Sequence, residues 1–198
     1  EKDSKGMTEL YERGDMMNLE HYILISSFFV YNYFKILDFA EKKLSQIEGN
    51  VISDNYTFHK IKSEFELYSS ELMNFTSIFR LPFIFSSDDY TNRFQTACKI
   101  SIIDKKKQQN KKLKFSLIRK DTAAKAIVNA VSNPPLGIID LANKNCVNSE
   151  ELFRILSEQN NSKNNISIET LADPYPIKKE ICLKSNKIVI VETIETAL

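Results

Sequence analysis

HYILISS, residues 21–27, is an apolar run that stops at two serines. The run lacks the alternation of apolar and polar residues that a half-buried strand shows, so it predicts a strand buried on both faces, as in a parallel sheet. α/β proteins place their chemistry at the carboxyl ends of such strands. A functional site is therefore expected near Ser26 and Ser27, where this strand ends.

A helix and a second strand follow this run. From Phe58 to Leu72, apolar residues recur in steps of three and four, which predicts a helix over residues 56–72 with one apolar face. Residues 75–80, Phe-Thr-Ser-Ile-Phe-Arg, predict a second short strand that ends before Pro82. A strand, a helix and a strand in this order form the βαβ unit of a parallel sheet.

The rest of the chain predicts further elements of the same kinds. Asp121 can cap a helix that runs to Val131, and residues 137–142 predict a third strand. Asn148 can cap another helix, in which Glu151 completes a capping box. Further expectations are a helix over residues 1–20, a late strand over 188–191, and a basic run over 104–114 that forms a solvated loop, with a phosphate- or nucleic-acid-binding patch as the alternative.

Composition and charge argue against several classes of function. A net charge of +1 argues against a nucleic-acid-binding surface, and no apolar run is long enough to span a membrane. With two histidines and no closely spaced ligand pairs, a metal site is not expected. Cys98, Cys146 and Cys182 are odd in number and widely spaced, so they predict reduced thiols and a cytoplasmic protein rather than a disulfide framework.

Tyr56 and Lys60 form the candidate chemical pair. They lie four residues apart on the predicted helix and so project from one face. An ammonium beside a phenol favours the phenolate, which lowers the tyrosine pKa and makes the side chain a usable proton donor and acceptor. Ser27, 29 residues before Tyr56, can hydrogen-bond the same substrate oxygen. Tyr-x-x-x-Lys alone is a weak motif in a chain with eight tyrosines, and without further context a surface pair is the default interpretation.

Five segments, taken in order, resemble the extended short-chain dehydrogenase/reductase family, and within it the NAD-dependent epimerases and dehydratases. They are a strand followed by Ser-Ser-x-x-Val-Tyr, a helix with Tyr-x-x-x-Lys-x-x-x-Glu, a strand ending in Arg-x-Pro, a helix entry with Asp and alanines, and a Gly-led strand followed by Val-Asn-Ser-Glu-Glu-Leu. These segments occupy residues 23–31, 56–64, 79–82, 118–127 and 137–152. The resemblance covers roughly residues 18–198.

The resemblance implies an α/β fold class: a partial Rossmann-type parallel sheet with flanking helices, plus a small C-terminal α+β substrate lobe. Residues 1–85 would form the C-terminal half of the Rossmann-like domain. Residues 86–198 would form the substrate-binding lobe, interleaved with the last Rossmann strand and helix.

The resemblance also implies roles for individual residues. Tyr56 would be the acid/base on a sugar hydroxyl while NAD or NADP takes or returns a hydride, Lys60 would hold the nicotinamide ribose, and Ser27 would orient the substrate oxygen. Pro82 and Phe83 fall where the family contacts nicotinamide or substrate. The implied partners are a nucleotide-sugar substrate and, by resemblance only, a second copy of the chain bound through the helix that carries the Tyr/Lys pair.

Departures from the family pattern leave alternatives open. The Gly-rich turn that holds the cofactor pyrophosphate is missing: the chain has four glycines, no two of them within five residues. Asn32 replaces the glycine after Val-Tyr, and Arg80 is expected to pack structurally. The missing strands would expose the edge of the first strand, so we expect either a piece of a longer protein or a partner or altered packing that covers this edge. The functional alternatives are a degenerate, non-catalytic relative that binds a nucleotide or a protein, and an unrelated α/β domain with a surface Tyr/Lys pair.

Overall fold

A computed structural model describes residues 19–32, 55–86, 88, 90–92, 96, 114–143, 145–148, 151, 152, 154 and 182. Residues 1–18 of the predicted first helix, residues 104–113 of the basic run and the predicted late strand at 188–191 lie outside the described residues.

The chain divides into two compact units. Unit 1 comprises residues 1–81 and 127–140, and unit 2 comprises residues 82–126 and 141–198.

Both units contain parallel strands. In unit 1, strands β1 (Tyr22–Ser27), β2 (Thr76–Leu81) and β5 (Gly137–Asp140) form a parallel sheet in the order β1-β2-β5. In unit 2, β3 (Phe83–Phe85) pairs in parallel with β4 (Leu117–Arg119). The described helices are α1, Asn55–Tyr68, and α2, Lys120–Ser132. Parallel strands with flanking helices confirm the predicted α/β fold class.

β2, rather than β1, is buried along its whole length. All six residues of β2 are buried, because this strand lies between β1 and β5. In β1 only Ser26 and Ser27 are buried, and Ile25 is 36% exposed. The prediction that the first strand is buried on both faces is therefore wrong for its apolar part, since β1 lies at the edge of the sheet formed by the described residues.

Helix α1 ends four residues before the predicted boundary at Leu72. Ser70 explains the early end: its hydroxyl donates to the carbonyl oxygen of Leu67 (2.9 Å), and its backbone N–H donates to the same oxygen (3.1 Å). Serine competes in this way for the carbonyls of a last helical turn. A 3₁₀ helix, Glu71–Phe75, then leads into β2 and keeps Leu72 buried.

Two other predicted boundaries move by one or two residues. α2 begins at Lys120, so Asp121 lies in the first turn instead of at the cap, and its carboxylate lies 3.2 Å from the Arg119 guanidinium. β5 begins at Gly137, whose φ of +93° requires glycine, and it ends at Asp140 instead of residue 142.

Unit 2 has its own buried aromatic contact. Phe83 of β3 meets Phe115 edge-on, with ring centroids 5.7 Å apart, and Phe115 forms an antiparallel bridge with Val147. The predicted cap after this bridge is confirmed, because the Glu151 N–H donates to Asn148 Oδ1 at 2.8 Å.

Cys146 and Cys182 form a disulfide, so the prediction of reduced thiols is wrong for these two residues. Their Cα atoms lie 5.8 Å apart, within the range that a disulfide requires. Their separation of 36 positions concealed this proximity in the sequence. Cys146 is fixed in place by its neighbour Val147, whose backbone exchanges hydrogen bonds of 3.0 and 2.8 Å with Phe115.

Within the described ranges, no helix combines the length and the apolarity needed to cross a bilayer.

Candidate active site

A row of polar residues crosses the sheet of unit 1 near its carboxyl end. Ser26 of β1 is in register with Arg80 of β2, and Arg80 is in register with Asp140 of β5. Residues in register on neighbouring strands project to the same face of a sheet. All three are buried, with exposures of 3%, 0% and 3%. The row lies at the end of the sheet where the sequence predicted a site.

Helix α1 runs antiparallel to β1 across this face. Near the end of the helix, Leu67 belongs to a buried cluster against which Tyr22 and Leu24, from the first half of β1, also pack. One turn earlier, Glu64 accepts a hydrogen bond from the Ser26 hydroxyl near the end of the strand. The amino end of α1 therefore points toward the carboxyl end of β1.

This direction brings Lys60 to the end of β1. The Lys60 Nζ donates to the Ile25 carbonyl oxygen at 2.9 Å and lies 5.7 Å from the centroid of the Tyr56 ring. Tyr56 itself is 55% exposed, one turn beyond Lys60. Tyr56, Lys60 and Glu64 follow one another at intervals of four residues, so one face of the helix carries all three. The structure thus brings Tyr56 and Lys60 together and ties Lys60 to the strand that ends in Ser27.

Ser27 lies at the point where β1 changes into a 3₁₀ helix, Phe28–Asn32. Its side chain is buried, and its Oγ accepts a hydrogen bond of 3.3 Å from the Phe29 N–H. This contact holds the hydroxyl at the strand end and leaves its hydrogen for another acceptor.

Arg80, the middle residue of this row, forms a buried ion pair with Glu64 of α1. Arg80 Nε lies 3.1 and 3.2 Å from the two Glu64 carboxylate oxygens, and Nη2 lies 2.5 Å from Oε2. Both side chains are 0% exposed. Burial alone would lower the Arg80 pKa, but the hydrogen bonds and charge of Glu64 outweigh it and raise the pKa above its usual range. The expectation that Arg80 packs structurally is confirmed.

Tyr31 connects these side chains to β5. Together they form a polar network of Ser26, Tyr31, Glu64, Arg80 and Asp140. The Arg80 guanidinium lies 4.6 Å from the centroid of the Tyr31 ring, a cation–π contact. The Tyr31 hydroxyl donates to both Asp140 oxygens, at 2.7 and 2.9 Å. Burial raises the pKa of Tyr31 well above its usual range and also raises the pKa of Asp140, although the Tyr31 hydrogen bond and the Arg80 charge oppose the latter shift. Tyr31 therefore stays protonated and acts as a donor.

Pro82 and Phe83 belong to unit 2 and are both buried there. The ring of Phe83 packs against Phe115, which is a core contact. Their predicted contact with a cofactor remains a prediction.

Four members of the network had no assigned role in the sequence analysis: Ser26, Tyr31, Glu64 and Asp140. Two signals were present. Glu64 lies on the Tyr56–Lys60 face of the helix, and two charged residues follow apolar residues in predicted strands: Arg80 at the end of residues 75–80, and Asp140 within residues 137–142. A charged residue in such a strand needs a partner when it is buried.

Among the residues that the structure describes, no three His, Cys, Asp or Glu side chains lie together in a way that could hold a metal ion.

Solved structures with this fold include enzymes of sugar-nucleotide chemistry. A UDP-N-acetylglucosamine 4-epimerase from Methanobrevibacter ruminantium, in complex with UDP-N-acetylmuramic acid, has a TM-score of 0.57 at 18% identity, over 90% of this chain and 59% of its own. A protein from Methylobacillus flagellatus assigned as an NAD-dependent epimerase/dehydratase has a TM-score of 0.55 at 15% identity, over 84% and 57% of the respective chains. The UDP-glucose 4-epimerase of Thermotoga maritima, with UDP-glucose, has a TM-score of 0.52 at 11% identity, over 94% and 59%.

These similarities establish that the chain has an NAD-dependent epimerase/dehydratase-like fold. The chain spans 57–59% of the length of these structures. No protein-family model and no curated protein matches the sequence.

Proposed function

We propose that this chain is the C-terminal part of an NAD(P)-dependent epimerase or dehydratase that acts on a nucleotide-linked sugar. One observation carries the proposal: Lys60 contacts both the Tyr56 ring and the backbone of β1, two residues before Ser27. A phenol, an ammonium and a hydroxyl are the groups needed to move a proton on and off a sugar hydroxyl. They lie on elements that meet at the carboxyl end of a parallel sheet, where such folds bind ligands.

In this proposal each residue has a distinct role. Tyr56 exchanges a proton with a sugar hydroxyl, and its exposure leaves the phenol accessible to a substrate. Lys60 stabilises the negative charge that develops on the phenol oxygen, because an ammonium has three donors and the Ile25 carbonyl uses one of them. Ser27 donates its free hydroxyl hydrogen to the oxygen that reacts.

The cofactor would be NAD or NADP, which when bound supplies or accepts the hydride. The residues proposed to line its nicotinamide ribose are Tyr56 and Lys60, and a cofactor contact by Pro82 and Phe83 stays a prediction. The exposed phenol and the remaining ammonium donors fit a ribose hydroxyl. We propose that the pyrophosphate-binding loop lies in polypeptide outside this chain, since the chain spans less than three fifths of the matched structures and its glycines are widely separated.

The nucleotide sugars seen with two of the matched structures support the proposed substrate class. A homodimer formed through α1 stays a prediction, as does the division into a Rossmann half and a substrate lobe. The cytoplasmic location was predicted from reduced thiols, and the disulfide removes that support. Two of the three cysteines are bonded to each other, and disulfides persist in oxidising compartments.

A degenerate relative that binds a nucleotide or a protein without turnover is the second candidate. The scarcity of glycine and the presence of Asn32 in place of the family's glycine favour it. The two candidates differ in one measurable property, which is turnover that depends on Tyr56.

The test is Tyr56→Phe in the longest natural form of the protein, with epimerisation or dehydration of a UDP-sugar followed by chromatography. Loss of a general acid/base should lower turnover by roughly 10²–10⁴-fold. Tyr22→Phe is the matched control, because Tyr22 lies at the opposite end of β1 from Ser27 and should leave turnover unchanged. Lys60→Ala is compared with Lys62→Ala, since residues two apart on a helix do not share a face. Equal turnover in Tyr56→Phe and the unmodified protein would remove Tyr56 from the mechanism. Binding of the UDP-sugar without any turnover would favour the second candidate.

A further inference from the structure

The position of α1 along β1 is fixed by polar contacts as well as by apolar packing. Apolar contacts between Leu67, Leu72 and Ile78 hold the helix against the sheet, but the hydrophobic effect has no direction. Hydrogen bonds lose strength when donor and acceptor are misaligned, so they fix where a helix sits. Ser26 and Arg80 both bind the carboxylate of Glu64, so one side chain of α1 is tied to two neighbouring strands at once.

The strands that carry Ser26 and Arg80 are themselves fixed relative to each other by the sheet. Ser26, Arg80 and Asp140 stand in one register row of the parallel sheet. Tyr31 contacts Arg80 through its ring and Asp140 through its hydroxyl, and so gives the arginine a second partner besides Glu64. Any shift of α1 along its axis would have to break contacts with Ser26 and Arg80 together.

We propose that Ser26, Glu64 and Arg80 are positioning residues, which set the location of Tyr56 and Lys60 relative to Ser27 by locking α1 to the strand ends. This inference rests on the proposed function. Glu64 lies one helical turn from Lys60 and two turns from Tyr56, on the same face, so a displacement of Glu64 moves both of them. Catalytic groups must be held within roughly 0.5 Å of their working geometry, and a misplacement of about 1 Å can cost roughly a hundredfold in rate.

A purely stabilising role explains the network less well. Buried ion pairs can often be replaced by apolar residues of similar volume without loss of stability. Ser26 adds a third member that brings no charge, and its hydroxyl connects the helix directly to the strand that bears Ser27. A hydrogen bond of this kind fixes the position of the helix on the strand rather than burying apolar surface.

The experiment compares Ser26→Ala with Ser77→Ala. Both serines are buried strand residues whose hydroxyls are hydrogen-bonded: Ser26 to Glu64 near the carboxyl end of the sheet, and Ser77 to the Pro135 carbonyl and the His21 ring near the amino end. In the longest natural form, Ser26→Ala should lower kcat by roughly 10–100-fold while KM for the nucleotide sugar changes little. Ser77→Ala should leave kcat within about a factor of 2.

A second readout needs no turnover. In this chain labelled with fluorotyrosine, the Tyr56 resonance is assigned by its absence in Tyr56→Phe. Ser26→Ala should shift or broaden this resonance, and Ser77→Ala should leave it in place. Glu64→Asp is the second variant: it keeps the charge beside Arg80 but shortens the side chain by one methylene, so it should preserve folding while moving the Tyr56 resonance in the same way.

The outcomes separate the inference from the proposed function. If Tyr56→Phe abolishes turnover but Ser26→Ala and Glu64→Asp leave both kcat and the Tyr56 resonance unchanged, the positioning role is overturned and the proposed function stands. If Tyr56→Phe leaves turnover unchanged while Ser26→Ala and Glu64→Asp move the Tyr56 resonance and Ser77→Ala does not, the proposed function fails and the network still positions the helix. Equal effects of Ser26→Ala and Ser77→Ala on the resonance would also overturn the positioning role.

Discussion

Glu64→Gln should destabilise unit 1 strongly, because it removes the carboxylate that binds the buried Arg80 guanidinium. Three close nitrogen–oxygen contacts join the two side chains, and both are 0% exposed, so solvent does not screen the loss. Arginine cannot lose its proton, so its charge stays buried. Breaking one partner of a buried ion pair costs about 3–5 kcal/mol. Glutamine keeps the volume and one oxygen acceptor, so we expect about 3 kcal/mol, the lower end of that range.

The assay is native-state hydrogen exchange, which follows the opening of each unit separately. Tryptophan fluorescence cannot be used because the chain has no tryptophan, and one unfolding curve would combine its two compact units. A loss of about 3 kcal/mol corresponds to roughly a hundredfold faster exchange for amides protected by global opening of unit 1. The amides of β2 report on unit 1, and those of β4 in unit 2 serve as the internal control.

A double variant separates the charge from the packing. Glu64→Leu combined with Arg80→Met replaces the pair by apolar side chains, so protection of β2 should return to within about 1 kcal/mol of the unmodified chain or exceed it. Unchanged exchange from β2 in Glu64→Gln, or equal loss of protection in the double variant and in Glu64→Gln, would show that the buried ion pair does not determine the stability of unit 1.

Two further predictions concern Asp140 and the disulfide. Burial raises the pKa of Asp140, so its contribution to stability is fully present below the unfolded pKa of about 3.9 and is lost as pH rises through the folded pKa. Asp140→Asn should therefore stabilise the protein relative to the unmodified chain more at neutral than at acidic pH in urea denaturation, and a gain that shrinks as pH rises would contradict this sign. For the Cys146–Cys182 disulfide, a separation of 36 residues corresponds to about 4 kcal/mol by loop-closure entropy. Adding a reductant should accelerate exchange at β4 while sparing β2, and a thiol assay on the unfolded, unreduced chain should find one free cysteine; three would show that the disulfide does not form.

The elements of the fold were predictable from local patterns. The apolar run before Ser26, the helical spacing after Tyr56 and the Gly-led strand at residue 137 correspond to β1, α1 and β5. Errors occurred where a side chain changed a boundary, as Ser70 does by taking the Leu67 carbonyl at the end of α1. Periodicity reports which face of an element is apolar, and it cannot detect such a competing hydrogen bond.

The α/β class, the order of the elements and the shared helical face of Tyr56 and Lys60 can be predicted from the amino acids alone, because these depend on residues a few positions apart. Contacts between side chains far apart in the chain became visible only in the folded molecule. Ser26 binds Glu64 38 residues away, Tyr31 binds Asp140 109 residues away, and Cys146 bonds to Cys182. The first two contacts join the sheet to α1 and to the 3₁₀ helix after β1, so they arise from the packing of these helices on the sheet, which no local spacing encodes.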